Sequence, residues 1–417
     1  MGKTAAKKRQ RLQSKLKRSA PEISPQDLKV TLDTLSKVAR NQRLLGTPEF
    51  AQLESVLKAF SQGPISRCTS LLATGSFAEA LEHVVDCSEK VRLGTLMRWV
   101  SLIGDCSDAS TRHRLLAAAI AKADPSQVSS CSDTAVAEVS DDLTRYIDFM
   151  IPEPLPVLET IAETPSNSLE NLAFEQITTC DDNAPGEKQH IPVHIVSNPH
   201  DFEISWNQKV SSKTIVKHDL PFAADEAFTL SGVFSAGECA QLMQCGERIG
   251  YLDALSYGTA GRMAAQGCVW IVPSSLHAQL FARVEPHLPA EIKGRALTGL
   301  NRRFRFYRYT PQHCEYRAHV DGSWPPSGFH PENGDYKFDV SEGRQWSCLT
   351  FLIYLNDGFR GGSTSFFWPD PDGGLAARGI RPRAGCVAVF PHGDTTGALV
   401  HEGSRVTECE KVIIRTD

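Results

Sequence analysis

A chain of 417 residues with 41% hydrophobic side chains can bury a sizeable core, and its length suggests two to three domains. A net charge of −5 excludes a protein that coats nucleic acid over its whole surface. Twelve cysteines lie scattered with no CxxC pair, which excludes a zinc ribbon or thioredoxin-type motif and suits a reduced, intracellular setting, cytoplasmic or nuclear. No apolar run approaches the roughly 18 residues of a membrane span, so no membrane contact is expected.

Residues 1–20 carry eight basic side chains and no acid. They lack the apolar stretch of a secretory signal, and Ala6 breaks the myristoylation pattern that Gly2 would begin. The run reads as a solvated, disordered basic tail, a nuclear address or a presequence. A contact with nucleic acid would rest on this tail alone.

Residues 21–125 read as an α-helical domain. Leu28, Leu32, Leu35 and Val38 keep close to a 3.6 period. A second helix is expected over 48–60, with Thr47 as N-cap and Gly63-Pro64 as its stop. Others are expected over 78–85, 91–103 and 112–122. Residues 126–225 read as a linker or irregular segment. Their signs are Ser126, Ser129, Ser130 and Ser132, the proline cluster at 152–156, and Asp181-Asp-Asn-Ala-Pro185-Gly. Short strands are expected there over 191–196 and 213–217.

From residue 226 to 417 the texture is α+β. Phe234 precedes Ser235-Ala-Gly-Glu238, a capping box that should open a helix running to about 249. A second helix is expected over 275–284. Short β-rich segments follow over 303–309, 346–355, 363–367, 381–390 and 411–415, separated by Gly, Pro and Asp clusters. That spacing suits a sandwich or jelly roll better than a βαβ sheet.

His319 and Asp321 are two apart, so on an extended strand they share a face. Two imidazoles and one carboxylate make the facial triad that holds non-heme Fe(II) and leaves coordination positions open. His401, on a separate strand end, could close that triad. Lys411, ten positions further on, supplies a cation able to pair with a carboxylate of a co-substrate.

Seven blocks in fixed order then carry a resemblance. They are Arg305-Phe-Tyr-Arg-Tyr309, Tyr316-Arg-Ala-His-Val-Asp-Gly322, Leu349-Thr-Phe-Leu-Ile-Tyr-Leu-Asn-Asp357, Gly361-Gly-Ser-Thr-Ser-Phe-Phe367, Pro382-Arg-Ala-Gly385, Phe390-Pro-His-Gly393, and His401-Glu-Gly with Lys411-Val-Ile-Ile-Arg-Thr-Asp417. Together they resemble the Fe(II)/2-oxoglutarate-dependent dioxygenases, within these the prolyl 4-hydroxylase catalytic domain. The resemblance covers roughly residues 226–417. It implies a C-terminal double-stranded β-helix (jelly roll) with flanking helices, here preceded by the α-helical N-terminal domain.

By motif, His319, Asp321 and His401 would ligate Fe(2+), and Lys411 would bind the far carboxylate of 2-oxoglutarate. Tyr309 and Tyr354 match positions that contact this co-substrate in relatives. O2 would be the second co-substrate and ascorbate the reductant. The implied activity hydroxylates a C–H bond and releases succinate and CO2, with a prolyl residue of a protein or peptide favoured as substrate. Another side chain, a small molecule or a nucleic acid stays open as substrate, as does a non-catalytic scaffold that keeps the fold.

Three features depart from the family pattern. The segment after Gly322, to about Arg344, is long and reads as a substrate lid or an idle loop. His392 is a rival metal ligand. Met263-Ala-Ala-Gln-Gly-Cys-Val-Trp270 replaces a block that usually carries Asn or Arg. Arg405 and Arg415 read as structural or solvent-facing.

Overall fold

Period-two alternation along the strands builds two apolar faces per sheet, and this places the site. The computed structural model is mixed α+β. It describes residues 24–40, 47, 63–123, 138–139, 144–152, 172–177, 192–197, 204, 206–207, 210–220, 227–253, 263–292, 294–313, 315–330, 334–370, 374–393 and 399–417. The expectations for the tail 1–20, the helix over 48–60, the serine-rich start of 126–225 and the acidic stretch 181–186 lie outside the described residues, as does most of the proline cluster.

The chain divides into two units, residues 1–63 and 64–417. The first holds helix α1 (Pro25–Arg40), opened by Ser24, whose hydroxyl accepts from the Asp27 amide at 3.1 Å. The second opens with α2 (Pro64–Ala73), α3 (Phe77–Asp86), α4 (Leu93–Ile103) and α5 (Ala109–Lys122). Pro64 is the first residue of α2; the expected helix over 48–60 that Gly63-Pro64 would stop lies outside the described residues. Proline's fixed φ and missing N–H suit the first helical position as well as they suit a terminator. Trp99 is fully buried among these helices, and its indole N–H donates to Thr69 Oγ1 at 2.7 Å.

The main strands are β1 (Glu138–Val139), β2 (Thr144–Met150), β3 (Phe174–Ile177), β4 (Val193–Val196), β5 (Val216–Asp219), β6 (Phe228–Ser231), β7 (Met263–Ala264) and β8 (Gln266–Ile271). They continue as β9 (Arg303–Tyr309), β10 (Glu315–His319), β11 (Leu349–Tyr354), β12 (Thr364–Pro369), β13 (Leu375–Arg381), β14 (Val387–Pro391), β15 (His401–Gly403) and β16 (Lys411–Thr416). One sheet runs β1-β2-β13-β12-β15-β10-β7, the other β3-β4-β8-β9-β16-β11-β14-β6-β5. Strands β1 to β5, from the stretch 126–225, all sit toward the sheet edges. Thr144–Met150 had no strand expectation; it pairs in parallel with Leu375–Arg381 over its whole length.

The expected single strand over 381–390 is two strands. Gly385 turns the chain between them at φ +75°, and a Cβ there would lie 2.1 Å from the Phe234 carbonyl oxygen. Glycine removes that clash and accepts the left-handed backbone.

The sheets face one another. Tyr309, Tyr354 and Ile413 from one share a buried cluster with Phe366, Trp368 and Ile380 from the other. Phe366 meets Phe390 edge to face, with centroids 5.1 Å apart. Alternate residues point outward: Val320, Phe367 and Val400 pack against α2–α5. On the other sheet Val412 and Ile414 join the cluster under α6 (Ala236–Ile249) and α7 (Ser274–Val284). The Ser235/Glu238 capping box is present as expected. Glu238 also takes Arg283 of α7 at 2.7 Å, both buried, so removing either partner should cost roughly 3–5 kcal/mol.

Candidate metal centre and co-substrate cavity

β10 ends on His319 and β15 begins on His401, and the antiparallel register sets these two directly opposite. Asp321 follows two residues later. Ligand atoms of His319, Asp321 and His401 all lie within 4.8 Å of one another, and all three residues are buried. Each imidazole is oriented by its own strand. His319 Nδ1 meets the Arg317 carbonyl at 2.8 Å, and His401 Nδ1 meets the Leu399 carbonyl at 3.0 Å. A carbonyl only accepts, so both rings carry the proton on Nδ1 and turn the Nε2 lone pair inward. Burial, then His401 beside it, lowers the pKa of His319 and keeps it neutral. Burial alone would raise the Asp321 carboxyl, but Arg415 and then His401 hold it well below the usual range. Two imidazole nitrogens and an ionised carboxylate are the donor set a divalent iron needs.

Lys411 leads β16, and Lys411, Ile413 and Arg415 alternate inward. Lys411 is 1% exposed. Its ammonium donates to the Gly362 carbonyl and stands 5.2 Å from the Tyr309 ring centroid and 5.9 Å from that of Tyr354. Among the described residues no carboxylate pairs with it, and burial pulls its pKa down to about 7. One cavity joins the triad to Lys411, with Tyr307, Tyr309, Tyr316, Thr350, Thr364 and Arg415 on its wall.

Residues 304–416 match the 2OG-Fe(II) oxygenase superfamily. The C-terminal part of the chain is a 2OG-Fe(II) oxygenase domain. It makes the chain an Fe(II)- and 2-oxoglutarate-dependent dioxygenase. Among solved structures, the viral collagen prolyl hydroxylase of Paramecium bursaria Chlorella virus-1, in complex with 2-oxoglutarate, is 17% identical. That match covers 46% of this chain and 94% of the other, at a TM-score of 0.31. A Pseudomonas putida prolyl-4-hydroxylase is 20% identical over 43% of this chain and 81% of its own, at 0.26. A Burkholderia pseudomallei oxidoreductase of the 2OG-Fe(II) oxygenase family is 16% identical over 46% and 82%, also at 0.26. No curated protein matches the chain in sequence.

The oxygenase domain brings the candidate residues together unevenly. Tyr309 lies on the cavity wall. Tyr354 stands beside Lys411 but off that wall; its hydroxyl reaches Thr364 at 2.9 Å, and Thr364 is on it. His392, the rival ligand, is fully buried with both ring nitrogens engaged, Nδ1 to Thr350 Oγ1 and Nε2 to Ser347 Oγ, each at 2.8 Å. Burial drives its pKa down to about 4, so the ring is neutral. Met263–Ala264 forms β7 and Gln266–Ile271 forms β8, and among the residues whose side chains are described none from Ala265 to Trp270 lines the cavity.

Arg415 is not solvent-facing. It is buried and paired with Asp321, and its other nitrogens reach Asp417 Oδ1 at 3.1 and 3.2 Å. Asp417 in turn pairs with Arg305. Burial would lower the Arg415 pKa, but Asp321 and Asp417 raise it above the ordinary value. Arg405 is exposed. Tyr316 was also missed; its ring lies over His319 with centroids 3.8 Å apart and planes at 19°. Strand alternation from Lys411 would have found Arg415, and alternation from His319 makes no provision for Tyr316, because the β10–β15 register shifts between the two.

The described part of the 322–344 segment is pinned rather than free. Asn301 donates to the Pro325 carbonyl at 2.8 Å and accepts the Ser327 amide at 3.1 Å. Gly328–Phe329 pairs with Tyr336–Lys337, and the Trp324 ring carries the Arg305 guanidinium at 4.7 Å.

Proposed function

We propose that this dioxygenase hydroxylates a C–H bond of a protein or peptide, a prolyl residue being the favoured acceptor, and releases succinate and CO2. One observation carries the reading: a two-histidine, one-aspartate group shares a cavity with a buried lysine that, among the described residues, has no carboxylate partner. The prolyl preference rests on the seven sequence blocks. In this reading the two facing sheets form a double-stranded β-helix with flanking helices.

His319, Asp321 and His401 would hold Fe(2+). Bound there with 2-oxoglutarate and O2, iron supplies oxidative decarboxylation coupled to hydroxylation, with ascorbate as the external reductant. The chain's own residues bind and orient. Lys411 meets the far carboxylate of 2-oxoglutarate, and that contact replaces the ammonium's lost hydration with a charge-assisted pair. Tyr309 would pack beside the co-substrate, and Leu352, Phe390 and Ile413, on the same cavity wall, would exclude water around it. The carboxylate of Asp321 stays ionised at neutral pH and needs no deprotonation to receive the metal.

The test is succinate formation by the full chain with Fe(II), 2-oxoglutarate and O2, followed by mass spectrometry of candidate peptides for a single-oxygen gain. Asp321→Ala should abolish both. Undiminished succinate formation in that variant overturns the assignment.

A further inference from the structure

His392, the rival metal ligand in the sequence, is joined to the metal site by hydrogen bonds. Four hydrogen bonds run from the segment after the triad to the metal carboxylate. The Trp324 amide meets Ser347 Oγ at 2.9 Å, Ser347 Oγ meets His392 Nε2 at 2.8 Å, His392 Nδ1 meets Thr350 Oγ1 at 2.8 Å, and Thr350 Oγ1 meets Asp321 Oδ2 at 2.7 Å.

The sense of this chain is fixed by chemistry. An ionised carboxylate only accepts, so Thr350 donates to Asp321. A hydroxyl has one proton, so Thr350 must accept from His392, which places the imidazole proton on Nδ1. Nε2 then accepts from the Ser347 hydroxyl, and Ser347 accepts from the Trp324 amide, which can only donate. Every member is satisfied in one direction and in no other. Arg415 holds the second carboxylate oxygen, Oδ1, and is itself fixed by Asp417. With a donor on each oxygen the Asp321 carboxylate cannot rotate, and it faces the two imidazoles, 3.4 Å from His319 Nε2 and 3.5 Å from His401 Nε2.

We infer that His392 is a positioning residue that orients the Asp321 carboxylate for the metal through Thr350. The inference rests on the triad being the metal site. It places His392 outside the ligand set and makes its Nδ1–H, not its basicity, the feature that matters. Partners of this kind are worth about 10–100-fold in metal affinity.

The experiment titrates the full chain with Co(II) alone, reading affinity by calorimetry and coordination geometry by visible absorption, with folding checked by circular dichroism. Thr350→Val keeps the shape and removes the hydroxyl. His392→Leu removes both nitrogens. Each should weaken Co(II) binding about 10–100-fold. Thr350→Ser restores the donor, and His392→Asn places an amide N–H near the Nδ1 position; both should bind Co(II) within about threefold of the parent chain. Parent affinity and spectrum in Thr350→Val overturn the inference. So does a loss that the serine and asparagine variants share, because packing alone would then explain it. Asp321→Ala separates the two readings: if it binds Co(II) like the parent, the triad assignment itself fails. If it alone loses binding, only the role of His392 fails.

Discussion

Two cations sit four residues apart on the inner face of β16, and the fold treats them in opposite ways. Arg415 is enclosed by Asp321 and Asp417 and is held charged. Lys411 is equally buried, has a carbonyl and two aromatic faces around it, and has its pKa pulled down to about 7. A buried charge with its counter-charge already in place belongs to the architecture. A buried charge without one is a cost that folding alone does not offset, and it suits a position whose partner arrives as a ligand. The same strand therefore carries a finished ion pair at the metal end of the cavity and half of one at the other end.

The largest effect should come from breaking the finished end. Arg415→Met leaves Asp321 and Asp417 buried with one guanidinium fewer. It should lower unfolding free energy by roughly 3–5 kcal/mol in a denaturant titration. Lys411→Met is close to isosteric and removes the unpaired cation, so it should leave stability unchanged or slightly raised. If the two variants lose stability equally, the contrast between the ends is wrong.

The open end should show its effect in binding instead. Losing a charge-assisted contact worth about 1.5–3 kcal/mol should weaken 2-oxoglutarate binding by roughly 10–100-fold in Lys411→Met. Calorimetry on the metal-loaded chain measures it. Equal 2-oxoglutarate affinity in the variant and the parent would remove Lys411 from the co-substrate site.

Most of the finished end was invisible in the sequence, and the open end was not. Lys411 stands at a fixed step from His401, and His319 and Asp321 share a strand face by period two, so local rules reach them. Arg415 was within reach of the same rule, since it falls two steps of alternation after Lys411. Its pairing with Asp321 was not. The contacts Asp321–Arg415 and Thr350–His392 join residues far apart in sequence: the pairing of β11 with β14 brings His392 to Thr350, and the facing of the two sheets brings Asp321 to Arg415. Strand alternation said which residues of 349–354 share a face but not which face was inward. The structure supplies that answer through Thr350, which meets Asp321. The capping box at Ser235 was legible because both partners lie within one turn.

The smallest effect is a proton. With a pKa of about 7 in the folded chain and about 10.4 when unfolded, Lys411 binds fewer protons folded than unfolded between those values. Stability should therefore rise with pH across that window, since the unfolded state holds the extra proton. The carboxylate of 2-oxoglutarate reverses the situation. An anion against the ammonium favours its charged form, so at pH 8, where the free lysine is mostly neutral, binding should draw up to one proton from solution. Calorimetry in two buffers of different ionisation enthalpy reads that uptake directly. At about pH 6 the lysine is already charged and the uptake should vanish. In Lys411→Met it should be absent at both values. Proton uptake that persists in Lys411→Met would have to come from another group, and the half-made ion pair would not be the source.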